Sequence, residues 1–185
     1  MSFFIEVGSC NFDTCERLIN NGWSGIVIEP VKYYFDKLPK YPHIKYENIA
    51  ISDKKSESEI HYINPEYIKN KEQEWLKGIS SIKGESGPLS FDNNIFMKEN
   101  TIIQKVNTDT LKNICDKYNV TSIDFLKIDT EGHDLIVLKS LDLDNVNIKM
   151  IKIEHKHLNV DKIIEHLKQY NYMIYMEKDD IYAIK

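Results

Sequence analysis

Glu6, Glu29, Asp129 and Glu154 stand at the ends of four short apolar runs, in FFIEV, GIVIEP, SIDFLKIDT and IKMIKIEH. In a parallel sheet the ends of such runs lie along one edge, so four carboxylates would crowd there. Glu131, His133 and His155 follow within a few residues. Acids and imidazoles so placed can take a proton from a hydroxyl, hold a divalent cation or pair with a cationic ligand. Asp and Glu are also common at strand ends, where they cap the next helix. That explanation suits any one of these acids better than it suits all four.

Glu29 follows Glu6 by twenty-three residues, at the end of the second run. An acid there accepts hydrogen bonds from ribose hydroxyls in nucleotide-binding α/β folds. The turn Gly8-Ser9-Cys10-Asn11 would face the same ligand. It lacks the several glycines that a pyrophosphate requires, which disfavours NAD and FAD. A nucleoside without phosphates tolerates such a turn, and a cationic group on it would be met by Glu6 and Asp129. S-adenosylmethionine, with its ribose, sulfonium and amino-acid tail, satisfies both demands.

The elements that must position these residues alternate at short spacing. Strands are expected at 3–7, 25–30, 44–52, 122–130 and 148–155, with helices at 13–20, 32–38, 108–118, 133–141 and 160–170. Asp13 or Thr14 is placed to cap the first helix. Two closing strands within 172–185 flank Lys178-Asp179-Asp180. The pattern predicts an α/β fold with a Rossmann-like, seven-stranded, mostly parallel sheet, helices on both faces and a C-terminal antiparallel hairpin. Ligands are then expected at the carboxyl ends of the strands. Residues 53–105 break the rhythm with one strand (59–64), a helix (65–77) and a Gly/Ser stretch (78–90), as a lid inserted in a single domain spanning 1–185 would.

The chain has 185 residues, 42% hydrophobic and 29% charged, with a net charge of −5. That is enough for one full core, and the interspersed charge argues against a nucleic-acid footprint. Cys10, Cys15 and Cys115 have neither zinc nor disulfide spacing, which points to a reducing, cytoplasmic setting. No apolar run reaches the length of a membrane span.

The set FIEVGS, GIVIEP, NIAISD and IDFLKIDTEGHDLIVLKSL resembles the FkbM-type methyltransferases, S-adenosylmethionine-dependent enzymes of the class I fold, from about residue 3 to 155. The specific part is LKIDTEGHD, which is similar to the family's KID-x-EG-x-acid signature. Glu6 stands where Asp is usual, and CNFD replaces Asn-x-Gly. The resemblance implies that Glu6, Gly8, Ser9 and Asn11 line the methionine moiety with Asp129, that Glu29 and Pro30 meet the ribose, and that Asn48, Ile49 and Ala50 flank the adenine with Ser52 and Asp53. It also implies O-methylation of a hydroxyl on a sugar, glycan or related small molecule.

Removal of the hydroxyl proton is open among Asp129, Glu131, His133 and His155, with His157 more suited to the surface. Asp129 and Glu154 could together hold magnesium. Tyr62, Tyr67 and Trp75 could stack on a sugar ring, with Ser80 and Ser81 offering hydrogen bonds, or they could pack the insertion's own core. Competing readings are a catalytically silent module that keeps the fold, and methylation of a nucleic acid or other acceptor. An exposed terminal hairpin at the sheet edge could pair in a homodimer.

Overall fold

Runs of β-branched and aromatic residues form the main sheet in the computed structural model, which describes residues 2–10, 15–82, 99–156 and 158–185. Its strands are β1 (Phe3–Val7), β2 (Ser24–Ile28), β3 (Ile44–Glu47), β8 (Ser122–Ile128), β9 (Asn147–Glu154), β10 (Met173–Glu177) and β11 (Asp180–Ile184). They lie in the order β10-β11-β9-β8-β1-β2-β3. The pairs from β3 through β2, β1 and β8 to β9 are parallel.

Strand β11 runs antiparallel to both of its neighbours, β9 and β10. The sheet is therefore mixed, where the sequence predicts a mostly parallel one. The last strand of the chain does not end the sheet but enters between β9 and β10. Burial gives the reason: Ile181 and Ala183 of β11 are completely buried, while β10 exposes Met173, Tyr175 and Met176.

Side-chain alternation assigns the two faces. Ile5, Val7, Ile26, Ile28, Leu126, Ile128, Ile151 and Ile153 join one core with residues of α3 (Leu111–Tyr118), α4 (Asp134–Lys139) and α5 (Val160–Gln169). Phe4, Val27 and Ile44 join the other with Ile19 of α1 (Glu16–Asn20) and Phe35 of α2 (Lys32–Phe35). Each fully buried aliphatic side chain stabilises the fold by about 1.5–3 kcal/mol. The first helix follows Cys15, and its proposed caps Asp13 and Thr14 lie outside the described residues.

The described part of 53–105 differs most from expectation, and most of the Gly/Ser stretch at 78–90 lies outside the described residues. The predicted strand at 44–52 is two: after β3 the chain leaves the main sheet, and β4 (Ala50–Ile51) pairs with β7 (Thr101–Asp109). Asn48 makes the break, donating from its side-chain amide to the carbonyls of Glu29 and Pro30 at 2.8 and 3.0 Å. A second sheet follows, in the order β4-β7-β5-β6, with β5 at Ser56–Ile63 and β6 at Ser80–Ile82. β7 was not expected, because its sequence TIIQKVNTD buries only Val106 and Thr108; eight residue pairs with β5 make the strand. The helix predicted at 65–77 is two short 3-10 helices, Pro65–Tyr67 and Lys71–Lys77. Asn64 and Asn70 each accept a backbone N–H at the start of one, so the chain restarts instead of continuing.

Candidate active site

The turn after β1 is fixed by close backbone approach. Gly8 has φ +80°, and a Cβ there would lie 1.8 Å from the carbonyl oxygen of Asp129. No side chain fits, so strand β1 can end against strand β8 only with glycine at this position. Ser9 is buried beside it. Cys10 follows with φ +50°. Asn11 lies outside the described residues.

Glu29 is buried and holds this turn. Its carboxylate accepts the backbone N–H of Cys10 at 2.6 Å and that of Val31 at 2.8 Å. Burial raises its pKa to about 7, against the opposing effect of those two N–H groups. The carboxylate thus sits behind the turn, with both oxygens engaged, rather than in open solvent.

Glu6 and Lys127 face each other in the register of β1 and β8. The Lys127 ammonium lies 3.1 Å from Glu6 and 3.2 Å from Asp129, so one buried cation bridges two carboxylates. Burial works against the lysine's charge, but the two acids outweigh it and hold its pKa above the ordinary range. Burial raises the pKa of Glu6, which Lys127 counteracts. Sequence reasoning gave Lys127 no role. The available signal was a lysine two residues before Asp129 in a buried strand, hence on the same face and in need of a partner.

The signature loop after β8 is tied by its last acid. Asp134, 1% exposed, accepts the backbone N–H groups of Thr130 and Gly132 at 2.9 and 3.1 Å. This holds Glu131 at φ +53° and turns the chain into α4. His133 is buried, and its Nε2 lies 3.0 Å from the Ser52 hydroxyl. A solvated first-turn histidine would have been the ordinary outcome for this position.

Asp129, Glu131 and Glu154 each present a carboxylate oxygen, all within 4.8 Å of one another. Burial first, and then repulsion from Glu154, Asp129 and Asp134, raises Glu131 to about 8. Burial, then Asp129 and Asp134, raises Glu154 to about 7. Burial likewise raises Asp134 to about 6. His155 is nearby in sequence; its backbone N–H donates to Asp179, and its Nε2 is buried without a partner among the described residues.

These shifts have a definite sign. A carboxyl whose folded pKa lies above its unfolded value binds more protons in the native state, so stability falls as pH rises between the two values. Thermal stability should therefore drop from pH 5 to pH 8, by roughly 5 °C or more. Glu131→Gln and Glu154→Gln should each flatten that decline in a melting series. A wild-type melting temperature that rises over this window would contradict the placement of these acids.

Gly8, Pro30, Ile49, Ala50, Ser80, Asp129 and His133 line one narrow cleft, together with Val7, Ile51, Ile60, Ile82 and Thr130. Residues from the first sheet's strand ends and from β4 and β6 of the second sheet thus meet at one place. Glu6, Ser9 and Glu29 are buried, and Asn48 anchors the segment that carries Ile49 and Ala50. The other residues considered for the acceptor are elsewhere. Tyr62 packs in a small core with Tyr34 and Val106, and Ser81 is buried. Trp75 is 59% exposed on its 3-10 helix, and Tyr67 is exposed too. His157 lies outside the described residues.

No helix in the described residues is long and apolar enough to cross a membrane. Comparison with curated proteins and with solved structures returns no match. A family model described as Methyltransferase FkbM domain matches residues 6–174, from the acid of β1 into β10. The strand-end acids, the glycine turn and the KID-x-EG-x-acid loop all fall inside that span, and the chain belongs to the FkbM methyltransferase family.

Proposed function

We propose that this protein is an S-adenosylmethionine-dependent O-methyltransferase acting on a hydroxyl of a sugar, glycan or related small molecule. The observation that carries the reading is the cleft itself, where Gly8, with no side chain, meets Asp129, His133 and apolar residues of β4. Its chemistry fits a nucleoside bearing a positive charge. Ile49, Ala50 and Pro30 offer apolar surface to a base, and Asp129 has Glu131 and Glu154 close by. When bound, the cofactor supplies a methyl carbon already activated by a sulfonium.

The chain's own residues then have three tasks. Asp129, braced by Lys127, meets the amino group of the cofactor's tail. Glu29 holds the Gly8–Cys10 turn and can accept a ribose hydroxyl in place of the Cys10 N–H. His133, positioned by Ser52, takes the acceptor's proton, with Asp129, Glu131 and His155 as the alternative bases. Alignment of acceptor and methyl with water excluded supplies most of the rate. The second sheet acts as the cover, within a single domain.

Magnesium would be held by Asp129, Glu131 and Glu154, a hard-oxygen set suited to it. It would polarise the acceptor hydroxyl. The silent-module reading draws on a different observation: both Glu29 oxygens are already occupied by the protein's own backbone.

Thermal unfolding with S-adenosylmethionine, its demethylated product and NAD separates these readings. A ligand at about 100 times its dissociation constant adds ~2.7 kcal/mol, or roughly 5–10 °C for a chain of this size. The expected result is a shift with the methionine-derived pair alone, lost in Glu29→Ala. Methyl transfer to a panel of sugars, with and without magnesium, then reads the acceptor, and His133→Ala should lower kcat by ~100-fold or more. A folded, ligand-free protein that shifts with neither would make the module reading the correct one.

A further inference from the structure

Strand β10 forms one edge of the main sheet, and no strand among the described residues pairs with its outer side. Met173, Tyr175 and Met176 are 71%, 62% and 46% exposed, three of the seven large exposed apolar side chains among the described residues. Natural edges are blunted by charge, proline or bulges. This one has an unbroken register with β11 over five residues and a single charge, Glu177, at its end. The opposite edge, β3, is shorter and carries Lys45 and Glu47, and Glu47 is engaged by Lys117 and Tyr118.

The hairpin fixes which groups point outward. Glu177 and Asp180 flank a two-residue turn. On the other side of β11, Asp179 accepts the N–H of His155 and Lys185 donates to Lys149, so Asp180 bonds toward Glu177 of β10. Bonded pairs alternate along an antiparallel ladder, so Tyr175 and Met173 also bond inward to β11. Ile174 and Met176 are left with N–H and C=O directed away from the sheet.

We propose that β10 pairs antiparallel with β10 of a second copy, about a two-fold axis at Tyr175, so that one sheet runs through both chains. This axis pairs Ile174 with Met176 of the other copy, twice, and closes the outward groups of both. Moving it to Met176 would set Ile174 against Lys178, which has left the strand at φ +52°. Moving it to Ile174 would require the N–H of Tyr172, which is already donated to Leu167. Charges agree with the same axis: Glu177 faces Met173, Lys178 faces Tyr172, and no like charges meet. A pairing in which each partner presents the same patch closes as a dimer.

The interface borders the candidate active site. Asp179, in the hairpin turn, accepts the N–H of His155 at 2.7 Å, and Asp180 pairs with Glu154 in the ladder and with the Lys152 ammonium at 2.8 Å. Docking of β10 steadies the hairpin that holds these residues.

Light scattering on the eluting full chain should give twice the monomer mass. Tyr175→Lys places two ammonium groups at the axis and should return the monomer, still folded by circular dichroism because the Tyr175 side chain is mostly in solvent. Tyr175→Cys should cross-link on oxidation, since facing Cα atoms at a non-bonded pair are about 4.5 Å apart. Met173→Cys should not, because the two copies of that residue are offset by four positions, ~13 Å. The native cysteines are buried and do not compete. Three results would overturn the proposal: a monomeric wild-type chain, a dimer indifferent to Tyr175→Lys, or equal cross-linking at both positions. A β10 edge occupied by a different protein would overturn it as well.

Discussion

Gly8→Ala is expected to destabilise the protein by about 2–5 kcal/mol, far more than a typical turn substitution. Two separate effects add. A non-glycine residue at positive φ costs roughly 1–2 kcal/mol. The new Cβ would also sit 1.8 Å from the Asp129 carbonyl oxygen, and that backbone is held by the Asp129 N–H bonded to Val7 at 3.0 Å. Neither strand end can yield without breaking ladder bonds, so overpacking adds ~1–3 kcal/mol. Gly22 supplies the control. It has the same φ of +80° but nothing within 4 Å of a built Cβ, so Gly22→Ala should lose only the conformational part. Urea unfolding of the pair measures the difference. Equal losses would mean that the approach of the turn to Asp129 is not rigid. On the proposed function, Gly8→Ala should also weaken cofactor binding, because Asp129 moves with its carbonyl, while Gly22→Ala should leave it intact.

The elements carrying the strand-end acids were legible in the sequence because burial alone specifies them. Ile5, Ile26, Leu126 and Ile151 repeat a pattern that only a strand between two helical layers satisfies. What followed from pairing rather than burial was not legible. β7 buries only Val106 and Thr108 and is held by its pairing with β5, and β11 enters the sheet ahead of β10 by tertiary competition for the buried slot. The acids at the cleft were visible one by one, yet their division of labour was not. Glu29 reads as an open carboxylate in sequence, whereas the backbone N–H groups of Cys10 and Val31 claim it. Asp134 reads as one acid more in a motif, whereas it ties the loop that presents Glu131 and His133. Such roles depend on hydrogen-bond partners brought from turns, and periodicity carries no information about them.

Lys127→Met should be the most damaging single substitution at the site, and its effect should depend on pH. The ammonium is the bridge between Glu6 and Asp129, so removing it leaves Glu6 buried without its cation. Breaking a buried pair in this way typically costs about 3–5 kcal/mol. Glu6 can escape that penalty only by taking a proton. Its pKa is already raised by burial, and Lys127 is the main influence lowering it, so the variant's Glu6 titrates higher still. A carboxyl raised in the folded state contributes full stability below its unfolded pKa and loses it as pH rises. The deficit of Lys127→Met relative to wild type should accordingly be small near pH 5 and largest near pH 8. Glu6→Gln/Lys127→Met, which has no buried acid to charge, should recover much of the stability at pH 8. Paired denaturant series at the two pH values test this directly, and a deficit independent of pH would show that methionine fails for reasons of packing rather than charge. Binding then separates the lysine's second contact. In the double variant Asp129 still lacks its brace, so S-adenosylmethionine affinity should stay low although the fold has recovered. Affinity restored together with stability would mean that the proposed cofactor contact of Asp129 does not need Lys127, and that the lysine serves only to neutralise Glu6.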